Sequence, residues 1–328
     1  MEETILQEEQ IFQDCLNHYL SDFTLGETWK TLAVKYNFNS GEEIRWWFKN
    51  QRNKRHIPSK HKENKQLAIR ETYSSPRVAI CDIETLPLIL MGWQLWDQNF
   101  GIEQVVADGC MLSWAGKFLN ESEIYSDILT SEEAKARDTS RITKSIWKFL
   151  SKADFIIGHN FSQYDVKYIN TEFLRHDLPP LKFGIVDTLV VAKQNFRFSS
   201  NKMKYINDQL KIRNKIDNSG FVLWKACSEG DQESLNIMLE YNIGDIGATE
   251  ELFYRLRPYI RNFNVALYND IEAEQCPVCG STNLVSEGFY MTSAGKWESV
   301  RCQNCKCISR KKQNLLTKEK KKSLLINS

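Results

Sequence analysis

Apolar residues recur at helical spacing through the first fifty positions. Ile5, Ile11, Phe12, Cys15, Leu16 and Tyr19 form one stripe within 4–20, and Trp29, Leu32, Ala33 and Tyr36 a second over about 27–36. The turn Asn37-Phe38-Asn39-Ser40-Gly41 breaks the pattern, with Ser40 placed as an N-cap and Glu43 as its capping-box partner. A third helix is expected from Glu43 to about Arg55. Ile44, Trp47 and Phe48 face inward there, and Arg45, Lys49 and Arg52 lie on another face. From His56 to Pro76 the chain turns polar and basic and reads as a linker.

Beyond the linker the period changes. Val78 to Ile83 is a β-rich apolar run and predicts a strand buried on both faces. Segments 88–95 and 111–118 predict further strands of a meander, and 138–151 an amphipathic helix with Ile142, Ile146, Phe149 and Leu150 inward. A second buried strand follows over 154–159, ending at His159-Asn160, and residues 161–165 open a helix to about Arg175. A third strand is expected at Phe183 to Val186, and 201–252 reads as helical. Buried strands separated by helices predict an α/β domain.

A chain of 328 residues with 42% hydrophobic and 26% charged positions has the composition of a soluble globular protein. No apolar run approaches the roughly 20 residues that span a bilayer, and the acidic N-terminus is unlike a signal peptide. A cytoplasmic location without membrane association is expected. The net charge of +1 hides strong segregation. Residues 1–44 carry nine acids and two bases, 45–76 nine bases and two acids, and 271–328 ten bases and five acids. An acidic middle between basic stretches suits a metal-using enzyme held on a polyanion.

Candidate chemistry begins at the end of the first strand. Asp82 and Glu84 are two residues apart, so both side chains leave one face. Burying two like charges is costly, and a divalent cation offsets that cost. Asp165 opens a helix just beyond a strand end, and Tyr241 and Asp245, four apart, share a helix face. His159 is expected to be structural or to edge the substrate. Asp187, at a strand–helix junction, is expected to be an N-cap.

The ordered set Asp82-x-Glu84, Asn160-x3-Tyr164-Asp165 and Tyr241-x3-Asp245 resembles the DEDD exonucleases of the ribonuclease-H-like superfamily. Tyrosine in the third motif places the resemblance with the tyrosine subgroup, and Asp-Ile-Glu-Thr with Asn-x3-Tyr-Asp is similar to the proofreading domains of family B DNA polymerases and related stand-alone nucleases. The resemblance spans about 77–260. It implies a ribonuclease-H-like mixed sheet with flanking helices and two Mg²⁺ or Mn²⁺ ions held by Asp82, Glu84, Asp165 and Asp245. Tyr241 would orient the attacking water, and Asn160 would touch the substrate. Hard oxygen donors select such ions.

Nine cysteines without a secretory signal point to metal or free thiols. Cys276-x2-Cys279 and Cys302-x2-Cys305, with 280–301 between them, have the spacing of a zinc ribbon with one structural Zn²⁺. Cys307 is left over. Residues 310–328 form a Lys/Arg-rich tail. The three N-terminal helices have the outline of a helix-turn-helix module, and Trp47 to Arg52 resembles a homeodomain-like recognition helix. That resemblance places Trp46, Lys49, Asn50 and Asn53 where base-contacting side chains sit, and the basic face adds Arg45 and Arg52 as expected nucleic-acid contacts.

The expected organisation is a helical module at 1–57, a linker at 58–76, the exonuclease domain at 77–265, the zinc ribbon at 272–309 and the tail. The expected activity is metal-dependent 3′–5′ hydrolysis of nucleic acid, with DNA favoured over RNA and replication or repair machinery as partners. Two alternatives stay open: a non-catalytic DNA-binding or scaffold protein on a nuclease fold, and the same enzyme acting on RNA.

Overall fold

A computed structural model describes residues 8–16, 29–55, 75–214 and 220–325, with the side chains of 52–54 excepted. The chain divides into two compact units, Met1–Thr72 and Tyr73–Ser328.

In the first unit, helix α1 covers 8–16, α2 covers Trp29–Lys35 and α3 covers Gly41–Lys54. Ile11, Phe12, Cys15, Leu32, Ala33, Ile44 and Phe48 bury one another between them. Ser40 caps α3: its Oγ accepts from the Glu43 N–H at 3.1 Å, and Glu43 Oε2 accepts from the Asn39 N–H at 2.7 Å. Ile5 and Tyr19 of the first expected stripe lie outside the described residues. Charged pairs fasten the outside: Lys35 Nζ meets Asp14 at 2.8 Å, and Arg55 meets Glu9 at 2.8 Å while lying over the Phe12 ring.

The second unit is organised on strand β1 (Val78–Leu86). After it come β2 (Ile89–Leu90), β3 (Val105–Ala107), β4 (Cys110–Phe118) and β5 (Ile124–Ile128). Helices α4 (Ser131–Ala136) and α5 (Ser140–Leu150) lead to β6 (Phe155–Gly158), followed by α6 (Asp165–Arg175), β7 (Gly184–Asp187) and α7 (Thr188–Asn195). Then come α8 (Met203–Leu210), α9 (Phe221–Ser228) and the 25-residue α10 (Gln232–Leu256).

One five-stranded sheet has the order β5-β4-β1-β6-β7. β1 pairs antiparallel with β4 and parallel with β6, and β6 pairs parallel with β7. Alternation along β1 sorts its side chains between two cores. Ala79, Cys81 and Ile83 join Leu112, Trp114, Ile142, Ile146 and Phe173 on one side. Val78 and Ile80 join Ala115, Ile157, Ile206, Ile246, Leu252 and Phe253 on the other. By alternation Asp82 and Glu84 continue this second set, on the side where Ile246 and Leu252 of α10 pack.

The strand expected over 88–95 is not part of the meander. Only Ile89–Leu90 is extended and paired, with β3 in a separate two-stranded ribbon. Residues beyond it find no further strand, and side chains satisfy part of the backbone instead. Gln98 Oε1 accepts from the N–H groups of Trp93 and Gln94, and Gln104 Nε2 donates to the Met91 carbonyl. Trp93 and Leu95 are 96% and 91% exposed. Apolar content without a strand partner therefore made a loop here.

The cysteine-rich segment forms a three-stranded sheet from β8 (Leu284–Thr292), β9 (Gly295–Cys302) and β10 (Ile308–Arg310), ordered β10-β9-β8. It does not stand alone. Cys276, Val278, Cys302 and Cys307 are buried in the same cluster as Phe155, Phe253 and Phe263. The basic segment after it contains a short helix, α11 (Lys318–Ser323), capped by Thr317.

Candidate carboxylate and cysteine centres

Asp82, Glu84 and Asp245 converge so that one carboxylate oxygen from each lies within 4.8 Å of the others. β1 supplies the first two from alternate positions. α10 supplies the third, which is fully buried. Three anionic oxygens so close repel one another, and a hard cation among them turns that repulsion into attraction. The donor set fits Mg²⁺ or Mn²⁺.

Asp165 stands beside this cluster, at the first residue of α6. It is almost fully buried, and its Oδ1 accepts from the Ile83 N–H at 3.1 Å. Burial, with the negative charge of Asp82 adding to it, pushes the Asp165 carboxyl well above the usual carboxylate range. Tyr241 lies at the edge of the first core, its ring edge-on to Trp224 with centroids 6.3 Å apart.

The turn after β6 is built around Asp187. Its carboxylate caps α7 through the Leu189 N–H at 3.0 Å. It also accepts from the Asn160 N–H at 2.9 Å, the Ser162 N–H at 3.0 Å and the Ser162 hydroxyl at 2.6 Å. Asn160 is held in the left-handed region, at φ +67°. Gly158 permits the close return, since a Cβ there would lie 2.7 Å from the Cβ of Phe161. The His159 ring is tied on both sides, to Thr188 Oγ1 at 2.9 Å and to the Asn201 carbonyl at 3.0 Å. Because a carbonyl only accepts, Nε2 carries the proton. Tyr164 OH meets Thr85 Oγ1 at 2.8 Å, joining the α6 entrance to the end of β1.

A cleft of about 500 Å³ opens on this centre, lined by Asp82, His159, Asn160, Lys193, Asn201 and Lys202 among others. A larger cavity of about 680 Å³, between the start of β1 and the cysteine segment, is lined by none of the four carboxylates. The larger cavity and the carboxylate cluster therefore lie at different places. Lys193 and Lys202 were not legible beforehand, because isolated lysines in mid-chain carry no periodic signal. Nor was Asn242, whose amide reaches Asp82; its one clue was a polar residue between Tyr241 and Asp245 on an otherwise apolar helical stretch.

The four cysteines of the paired knuckles also converge, with their sulfurs within 4.8 Å of one another. Cys276 and Cys305 are 3.5 Å apart, as are Cys279 and Cys302. That is far beyond the ~2.05 Å of a disulfide. It is near the roughly 3.8 Å edge of a tetrahedron with metal–sulfur bonds of about 2.3 Å. All nine cysteines are free thiols. Burial would raise the Cys302 thiol, but the backbone N–H groups of Cys305 and Asn304 and the Cys279 thiol bring it down to about 7. A hydrogen bond with Cys307, and then burial, raises Cys276, while burial raises Cys279. The donor set suits zinc, and Cys307 stands directly beside it.

In the N-terminal unit Trp46 is 68% exposed, with Arg45 and Lys49 also exposed and Asn50 half-buried on the same helix. The side chains of Arg52 and Asn53 lie outside the described residues.

No curated protein matches the chain. Among solved structures it is similar to the family B DNA polymerase from the hyperthermophilic archaeon Pyrobaculum calidifontis, at 15% identity and a TM-score of 0.41. That match covers 56% of this chain and 25% of the polymerase, so the chain spans about a quarter of that structure's length. Residues 118–257 match the model of the RNase_H superfamily, a stretch that contains Asp165, Tyr241 and Asp245 and begins beyond Asp82 and Glu84. With its five-stranded mixed sheet and flanking helices, the core of this chain has a ribonuclease-H-like fold.

Proposed function

We propose that the protein is a metal-dependent 3′–5′ exonuclease acting on DNA. The observation that carries this reading is the convergence of Asp82, Glu84 and Asp245, with buried Asp165 beside them. Asp82, Glu84, Asp165 and Asp245 would hold two Mg²⁺ or Mn²⁺ ions, which when bound supply charge stabilisation for phosphodiester hydrolysis. The protein's own part is to present hard oxygens on rigid elements, a strand end and two helices. Tyr241 orients the attacking water by hydrogen bonding, since a phenol with a pKa near 10 is a poor base at neutral pH. Asn160 sits in the cleft where a terminal nucleotide would enter, and Lys193 and Lys202 line that cleft as phosphate partners.

The paired knuckles hold one structural zinc ion. The third N-terminal helix with the linker after it, and the tail beyond the knuckles, add grip on the polyanion through their excess of basic residues. Arg45, Trp46, Lys49, Asn50, Arg52 and Asn53 are the contacts assigned to the N-terminal unit. Replication or repair machinery is the setting this activity suits.

The test is an end-labelled substrate panel of single-stranded DNA, duplex DNA and RNA, each with Mg²⁺, Mn²⁺ or chelator. Stepwise release of nucleotides from the 3′ end that chelator abolishes is the expected result. Binding without release in either metal would defeat the proposal.

A further inference from the structure

Helix α10 brings a second polar side chain to the centre besides Asp245. Asn242 is fully buried, and its Nδ2 donates to Asp82 Oδ2 at 2.9 Å. Its Oδ1 accepts from the Ser113 hydroxyl at 3.1 Å. Ser113 is also fully buried, on β4, and lies directly opposite Glu84 in the β1–β4 register. A continuous chain of hydrogen bonds thus runs from β4 through α10 to Asp82 on β1.

The direction of this chain is set by chemistry. A carboxylate only accepts, so the amide must turn its NH₂ toward Asp82 and its oxygen away. Ser113 supplies the donor that oxygen then needs. Reversing the amide would set oxygen against oxygen at Asp82, and a buried polar clash of that kind is expensive.

We propose that Asn242, held by Ser113, is a positioning residue that fixes the Asp82 carboxylate for cation binding. This rests on the nuclease reading above. A carboxylate turns readily about its last torsion, and Asp82 is close to two other acids that repel it. The amide holds one oxygen in place without adding charge. An aspartate at 242 would supply no donor and add a further negative charge, and a leucine of similar size would supply no donor at all. Fixing a ligand through its outer partners is how metal sites gain affinity before the ion arrives.

The test uses the full-length, zinc-loaded chain and Mn²⁺ as the probe. Calorimetric titration gives Mn²⁺ affinity, thermal unfolding reports the fold, and cleavage is followed against Mn²⁺ concentration. Asn242→Leu should weaken Mn²⁺ binding by roughly 10- to 100-fold, so that cleavage needs correspondingly more Mn²⁺. Ser113→Ala should weaken it several-fold, and the double variant should be no worse than Asn242→Leu, because both act along one chain. Unchanged affinity in a folded Asn242→Leu protein, with normal binding by the wild type, overturns this proposal alone. Should Asn242→Leu not fold, Ser113→Ala decides: several-fold weaker binding supports the chain and unchanged binding overturns it. A wild-type protein that binds no Mn²⁺ overturns the nuclease reading and this proposal together. Binding by the wild type that Asn242→Leu weakens, without cleavage of any nucleic acid, supports the positioning role and overturns the nuclease reading.

Discussion

The Asp165 carboxylate accepts a hydrogen bond from the Ile83 N–H at 3.1 Å, so α6 is fastened to β1 between its two acidic residues. Asp82 and Glu84 flank that N–H in the chain. The same bond that orders the strand end therefore brings a further buried carboxylate to the centre. Burial, and then the charge of Asp82, raise the proton affinity of Asp165, and the Ile83 N–H opposes that rise.

Asp82→Asn is expected to abolish cleavage in Mg²⁺, by at least about 10³-fold, while leaving the fold intact. Neutralising this position removes charge from a cluster whose members repel one another without a cation. Tyr241→Phe should be milder, roughly 10- to 100-fold, because it removes a hydrogen bond and no cation ligand. Cleavage rates beside thermal midpoints check both. Near-normal cleavage by a well-folded Asp82→Asn protein would remove the proposed site.

Asp165→Asn should raise the thermal midpoint of protein stripped of divalent ions at neutral pH. The amide oxygen can still accept from Ile83, and the charge that burial and Asp82 oppose is gone. The folded-state pKa of Asp165 lies above its ordinary value of 3.8. Its contribution to stability is therefore present at low pH and lost as pH rises through the raised value. Each kcal/mol of relief corresponds to a rise of about 2–4 °C in a domain of this size. The gain over wild type should shrink on acidification. A midpoint difference that does not vary with pH contradicts the assignment.

Cys276→Ser combined with Cys279→Ser should lose about one tightly held zinc per chain, measured by elemental analysis after dialysis. Because Cys276, Val278 and Cys302 share a core with Phe155 and Phe253, the thermal midpoint of the whole second unit should fall with it. Equal zinc content in the double variant would rule out the knuckles as the site.

A truncated chain beginning at Ser74 should turn over normally at saturating substrate but bind nucleic acid more weakly, with a shallower dependence on salt. All the assigned cation and zinc ligands lie beyond Val78, whereas Arg45, Lys49 and Arg52 lie before the cut. Filter binding across a salt series, beside single-turnover rates, separates the two effects. Lost turnover with unchanged affinity would contradict the division of labour.

Local periodicity determined a good deal unaided. Two-residue alternation put Asp82 and Glu84 on one face of β1, four-residue spacing aligned Tyr241 with Asp245, and the short knuckles paired the cysteines two by two. The Ser40–Glu43 cap was legible for the same reason: each of these relations is closed within a few residues by backbone geometry. Tertiary structure decided what spans long separations. Nothing near Asp82 announces Asn242, 160 positions away, and nothing near Glu84 announces Ser113 across the sheet. Apolar content at 88–95 could not say that no strand would pair with most of it. The knuckle spacing could not say that the cysteine segment would complete a core begun by Phe155. Those outcomes depend on which surfaces meet when the chain closes on itself, and a local pattern carries only the preference of each surface to be covered.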